Sequence, residues 1–101
     1  MKKIVNTKNA PAPIGPYNQA IVAGNTLYTS GQIAINPKTN ELVTDNIQDE
    51  TKLVLDSLKA IVEEAGFEMT DVVKCTIFIS DMNNFSAINE VYATYFTESH
   101  P

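Results

Sequence analysis

Arginine and tryptophan are missing from this chain, and cysteine and histidine occur once each, as Cys75 and His100. A lone cysteine cannot close an intrachain disulfide, and one Cys with one His cannot build a structural zinc site. A Ser-His-Asp or Cys-His catalytic centre would depend on His100, the penultimate residue, where chains usually fray. Basic residues are scarce too: seven Lys face twelve acids, for a net charge of −5. That balance lacks the cationic footprint of a nucleic-acid binder and suits anionic lipid poorly. Four Gly and five Pro are too few for a collagen-like or disordered chain. No apolar run nears the roughly 18 residues that span a bilayer. Polar residues follow Met1-Lys2-Lys3-Ile4-Val5-Asn6 at once, leaving no signal-peptide apolar stretch, so a cytoplasmic protein is expected. Chemistry here falls to carboxylates, hydroxyls, amides, Lys or the backbone.

What is present is one domain's worth of sequence: 101 residues, 44% of them hydrophobic. Ile4 to Asn6 reads as a short strand. Pro11, Pro13 and Pro16 then stiffen an extended loop. Two short apolar runs flank Gly24-Asn25, the signal of a two-residue hairpin. The second strand is expected to continue through Gln32-Ile33-Ala34-Ile35. Asn36 to Asn40 reads as a turn, and Glu41-Leu42-Val43 as a further short strand.

A helix follows. Asp45 can cap it, with Gln48 in the capping-box position. Ile47, Thr51, Val54, Leu55, Leu58, Ile61, Val62 and Ala65 share one face, and Gly66 stands where a left-handed C-cap belongs. Val72 to Ile79 is the clearest strand by pattern, with Val73, Cys75, Ile77 and Ile79 on an apolar face. A second helix is expected from about Asn83 to Thr97, with Phe85, Ile88, Tyr92, Tyr95 and Phe96 on one side. The order of strands, helix, strand, helix predicts an α+β domain, a mixed sheet with two helices on one face. Two helices cannot cover both faces, and an uncovered apolar face marks an interface, so a homo-oligomer is expected.

Two motifs are specific when taken together: Ile14-Gly15-Pro16-Tyr17-Asn18-Gln19-Ala20 and Thr29-Ser30-Gly31-Gln32-Ile33. With Asn36-Pro37-Lys38-Thr39, Ala65-Gly66, Asp71-Val72-Val73-Lys74 and Tyr95-Phe96, they make the chain resemble the RidA type of the Rid family (reactive intermediate deaminases, formerly YjgF). The likeness runs from about residue 3 to the end. It implies a chorismate-mutase-like fold and a homotrimer with ligand sites between subunits. It also implies hydrolysis of 2-imino acids, the 2-iminobutanoate and 2-iminopropanoate class, to 2-oxo acids and ammonia. Imino and oxo acids are the implied small-molecule partners, and no cofactor or metal is called for.

The residues that match family site positions are Tyr17, Ser30, Gly31 and Asn89. Gly31 would let a ligand carboxylate approach a backbone N–H, where the structural alternative is a simple bend. Ser30 would bond ligand or water; with no His beside it, it is no nucleophile. Tyr17 would wall the pocket, or else lid the core. Asn89 would donate its amide to ligand or water, or else bond along its own helix. Cys75 is expected as a buried small hydrophobe.

The chain departs from the family pattern in one respect. Members continue past the Phe-Thr-Glu…Pro segment and there supply an Arg that clamps the substrate carboxylate, a Glu near the imine carbon and two more strands. This sequence stops at Pro101, so a C-terminally shortened member with little activity of its own is expected. The alternatives are a non-catalytic module that binds small acids or shields other proteins, in the manner of a chaperone, and a rearranged fragment with bare sheet edges.

Overall fold

The computed structural model describes residues 1–101. The fold is α+β, as the order of elements predicts. Three short strands, β1 (Lys2–Val5), β2 (Ala20–Ala23) and β3 (Thr26–Thr29), form one sheet in that order. Both pairings are antiparallel, so the expected mixed sheet is not found. The β2–β3 hairpin turns at Gly24-Asn25, as the sequence predicts. Gly24 has φ +60 while Asn25 keeps a negative φ, the type II′ pattern that favours Gly at the first turn position.

Helix α1 (Ile47–Glu64) lies on one face of this sheet. Val5, Ala10, Ala20 and Ile61 make the central apolar cluster, and Val22, Leu27 and Ala65 pack around it. The helix is capped by Asn46, one residue later than the expected Asp45. The Asn46 side chain accepts the Asp49 N–H at 2.8 Å and donates to the Asp49 carboxylate at 2.9 Å. Both Asp45 and Asn46 are good caps, and Asp49, three residues on, selects Asn46. At the far end Gly66 has φ +84, and Phe67 N–H bonds Val62 O while Gly66 N–H bonds Glu63 O. That is the Schellman closure the sequence predicts. Helix α2 (Phe85–Tyr95) follows a 3₁₀ turn at Met82–Asn84 and packs against α1. Ile88 and Phe96 are buried, and Tyr92 stacks on Phe96 at 4.6 Å; Phe85, expected on the same face, is exposed.

Two expected strands are not strands. Ladder pairing stops at Thr29, and beyond it only a single bridge links Ile35 to Leu42. Asn36 N–H bonds Glu41 O and Val43 N–H bonds Ala34 O around the predicted turn, which the Asn36 side chain braces by accepting from Lys38 and Thr39 N–H. Val72–Ile79 is extended but pairs with nothing: no N–H or C=O of residues 73–79 meets a backbone partner. Alternating pattern specifies an extended backbone, whereas a strand also needs a neighbour to bond. Within this segment Cys75 and Ile79 are half-buried, while Val73, Ile77 and Phe78 stand in solvent. Cys75 is therefore less buried than expected.

The second face of the sheet is bare. The pairing register aligns Ile4, Ile21 and Tyr28 across the three strands on that face, and Ile4 and Tyr28 are exposed. No helix is long and apolar enough to cross a membrane. Burial at Ile61 is complete, so Ile61→Ala is expected to lower the unfolding free energy by about 2–5 kcal/mol. Asn46→Ala is expected to lower it by about 1 kcal/mol. Urea denaturation measures both, and a smaller loss at Ile61 than at Asn46 would contradict this placement of the core.

Candidate functional site

The Pro-stiffened loop and the chain leaving β3 meet at a small concavity of about 60 Å³. One lip is Pro11, Ala12, Ile14 and Tyr17; the other is Gly31, Gln32, Ile33 and Ile35, with Gln19 between them. Tyr17 is held by its own turn. Its N–H bonds Gly15 O at 2.8 Å, its hydroxyl accepts the Ile14 N–H at 3.4 Å, and its ring lies against Gly15. A Cβ at Gly15 would sit 3.5 Å from that ring, ordinary contact, so the turn tolerates a side chain there.

Gly31 is exposed just beyond β3, and its N–H donates to no protein acceptor. A Cβ at Gly31 would meet nothing within 4 Å. The glycine is therefore not demanded by packing inside this chain. Absence of a side chain leaves the free N–H open to anything seated in the concavity. An unpaired backbone donor is a ready site for an anionic oxygen.

Ser30 lies beside Gly31, but its hydroxyl donates to Asn18 O at 2.6 Å while its N–H bonds Gln19 O at 2.9 Å. Its proton is committed to the backbone, leaving only oxygen lone pairs for a ligand or water. Asn89 is exposed on α2 and does not line the concavity. Nor does it make the hydrogen bond along its helix that was the structural alternative. The structure thus brings Tyr17 and Gly31 together, sets Ser30 directly behind them and leaves Asn89 apart.

Two residues that sequence reasoning left without a role belong here. Gln19 is almost fully buried and fully hydrogen-bonded, and Gln32 folds its amide back onto Gly31 O at 3.2 Å. For Gln19 the available signal was a long polar residue in the buried phase immediately before the apolar strand that starts at Ala20.

A second, wider groove of about 780 Å³ runs between α1 and α2 on the side away from the concavity. Its side chains mostly satisfy one another. The Tyr95 hydroxyl donates to the Asp56 carboxylate and Lys52 pairs with the same group at 2.7 Å. This network clasps the two helices. Burial, reinforced by the bond to Asp56, pushes the Tyr95 hydroxyl up to about 12. Asp56 also raises Lys52. Tyr92 is likewise pushed up to about 12, by burial first and then by Cys75 beside it. No three His, Cys, Asp or Glu side chains converge as a metal-binding group would require.

A small antiparallel sheet backed by two helices, with a shallow site where a Pro-rich loop meets a free glycine amide, defines a Rid-type α+β domain. Residues 7–101 match the family model described as Endoribonuclease L-PSP. A RutC family protein of Pyrococcus horikoshii is 55% identical over all of this chain and 80% of its own length. A 2-iminobutanoate/2-iminopropanoate deaminase of Dermatophagoides farinae is 50% identical over 99% of this chain and 78% of its own. The crystal structure of Escherichia coli TdcF with bound serine superposes with a TM-score of 0.90 at 45% identity, covering 96% of this chain and 76% of that one. Yeast Mmf1 superposes at 0.95 with 36% identity, over 100% and 80%. The chain belongs to this family, the YjgF/Rid proteins.

For the helix clasp, pH gives a signed prediction. Tyr95, Tyr92 and Lys52 titrate higher in the folded chain than free, so the stability they contribute is complete below about pH 10 and is lost as pH rises toward 12. Thermal melts followed by circular dichroism should show that decline, and Tyr95→Phe should flatten it in part. An unchanged slope in the variant would contradict the clasp.

Proposed function

We propose that this cytoplasmic chain is the principal part of an imine/enamine deaminase. It would hydrolyse 2-imino acids of the 2-iminobutanoate and 2-iminopropanoate class to 2-oxo acids and ammonia. The observation that carries this is the free Gly31 N–H opposite Tyr17 across one small concavity. The free amide gives an anchor for a substrate oxygen, and the apolar wall of Ile14, Ile33 and Ile35 suits a short aliphatic side chain. The serine named in the TdcF structure has the same carboxylate and α-carbon skeleton as such a substrate.

The reaction makes modest demands. Water adds to the C=N carbon to give a carbinolamine. A proton reaches the nitrogen, ammonia leaves, and the C=O forms. The carbon is already electrophilic, so no cofactor is called on, and holding the substrate in line with water supplies much of the gain. Gly31 N–H would bind the substrate, Tyr17 would close over it, and the lone pairs of Ser30 Oγ would orient water. Asn89 would enter from a neighbouring subunit of a homotrimer, since its own concavity lies out of reach. The bare row Ile4–Ile21–Tyr28 and the exposed Val73, Ile77 and Phe78 give such an assembly apolar surface to bury.

Ribonuclease chemistry, which the family description mentions, has less support in these residues. The chain is acidic, has no Arg and places its one His at position 100. A binding or shielding module remains the second possibility, favoured by the absence of Arg and by the commitment of the Ser30 hydroxyl.

The deciding assay supplies 2-iminobutanoate freshly made from threonine by a pyridoxal-phosphate dehydratase and follows release of 2-oxobutanoate. The chain is expected to accelerate hydrolysis, but about 10- to 100-fold less than TdcF assayed beside it, because a charge-assisted carboxylate clamp is worth about 1.5–3 kcal/mol. No acceleration at all, with 2-oxobutanoate still bound, would favour the binding module. A rate equal to TdcF would refute the importance of an Arg clamp.

A further inference from the structure

The geometry points to Gln19 as the positioning residue of the candidate site: its buried carboxamide closes the neck of the Pro11–Tyr17 loop and thereby sets Tyr17 opposite Gly31. This rests on the site reading above and extends it to a residue that does not itself perform the chemistry. Gln19 is 2% exposed. Its Oε1 accepts the Thr7 N–H at 2.6 Å. Its Nε2 donates to Thr7 O at 3.0 Å, to Ala10 O at 3.2 Å and to Pro11 O at 2.8 Å. The backbone is used as fully: its N–H bonds the Asn6 side chain at 3.1 Å, and its C=O accepts from Ser30.

These bonds join the two ends of one excursion. The side chain grips Pro11 at the start of the loop, and the backbone of Gln19 follows Tyr17 by two residues at its end. A compact loop with its ends tied together is an Ω-loop, and Gln19 is the tie. Three prolines keep the loop stiff between those ends, so fixing the neck fixes the tip. Through the Ser30 bonds the same residue also sets the strand end that presents Gly31. Both lips of the concavity are therefore referenced to one carboxamide. Without it, the carbonyls of Thr7, Ala10 and Pro11 lose their donor, and the loop is free to swing from Gly31.

The test compares wild type with Gln19→Met and Gln19→Glu, well below each melting temperature, by nitrogen-15 relaxation and by 2-oxobutanoate affinity. In wild type the Gln19 side-chain amide protons should exchange far more slowly than those of exposed Gln48. The Ile14–Tyr17 amides with N–H should be as ordered as β2, near the order parameter of about 0.85 that marks rigid backbone. In the variants, α1 and β2–β3 shifts should stay native while the loop falls below about 0.6. The dissociation constant for 2-oxobutanoate should rise about tenfold, the equivalent of one lost hydrogen bond.

Variants that fold with an ordered loop overturn the proposal. So does wild-type affinity in a variant whose loop has loosened. Should neither variant fold, rapid exchange of the wild-type Gln19 side-chain amide overturns it, and slow exchange together with an ordered wild-type loop supports it. An ordered wild-type loop with no affinity for 2-oxobutanoate sinks the site reading instead, and loop order in the variants still decides the part played by Gln19.

Discussion

Between the first strand and the hairpin the chain runs through Asn6–Pro11 with no regular structure, and its inward carbonyls have no ladder to join. Buried backbone groups left unpaired cost about 1–3 kcal/mol each, so something must meet them. The carboxamide of Gln19 does so at Thr7, Ala10 and Pro11, and this lets Ala10 drop into the core beside Val5, Ala20 and Ile61. Core and candidate site are thus parts of one arrangement. The residue that seals the apolar cluster at the loop's base also holds the loop's tip over the concavity.

From that tie outward the molecule is asymmetric. Helix α1 covers one face of the sheet, and nothing covers the other. The aligned Ile4, Ile21 and Tyr28 are left beside water, and the extended residues 73–79 keep all their backbone bonds unspent. Exposed strand backbone with apolar side chains tends to find a partner. An assembly of several copies accounts for both features and for Asn89 standing apart from Tyr17 and Gly31. The solved relatives extend over about a fifth more chain than is matched here, as the 76% and 80% coverage of TdcF and Mmf1 shows.

Local chemistry was legible in the sequence where a few adjacent residues decide the outcome. Gly24-Asn25 makes the hairpin, Gly66 ends α1, and Asn36 braces its turn, because in each case the partners lie within a few positions. Legibility failed where the partner is distant or ambiguous. Asp45 and Asn46 compete for one cap, and the choice falls to Asp49. Residues 72–79 carry a strand's alternation, but pairing is a property of the neighbour. Gln19 was visible only as part of a motif, since its four side-chain bonds reach back 8 to 12 residues to carbonyls that no pattern marks. For the candidate site, motif resemblance located Tyr17 and Gly31 correctly on one concavity. It could not show that the Ser30 hydroxyl is already engaged with Asn18.

At the centre of the account is a free backbone donor at Gly31 that receives the oxygen of a small organic acid. Titrating nitrogen-15-labelled chain with 2-oxobutanoate and mapping amide shifts tests this directly. The account predicts that the Gly31 amide moves most, with Tyr17, Gln32 and Ile33 next and the α1–α2 groove unmoved. Saturable shifts centred on Lys52, Asp56 and Tyr95, with Gly31 still, would contradict it.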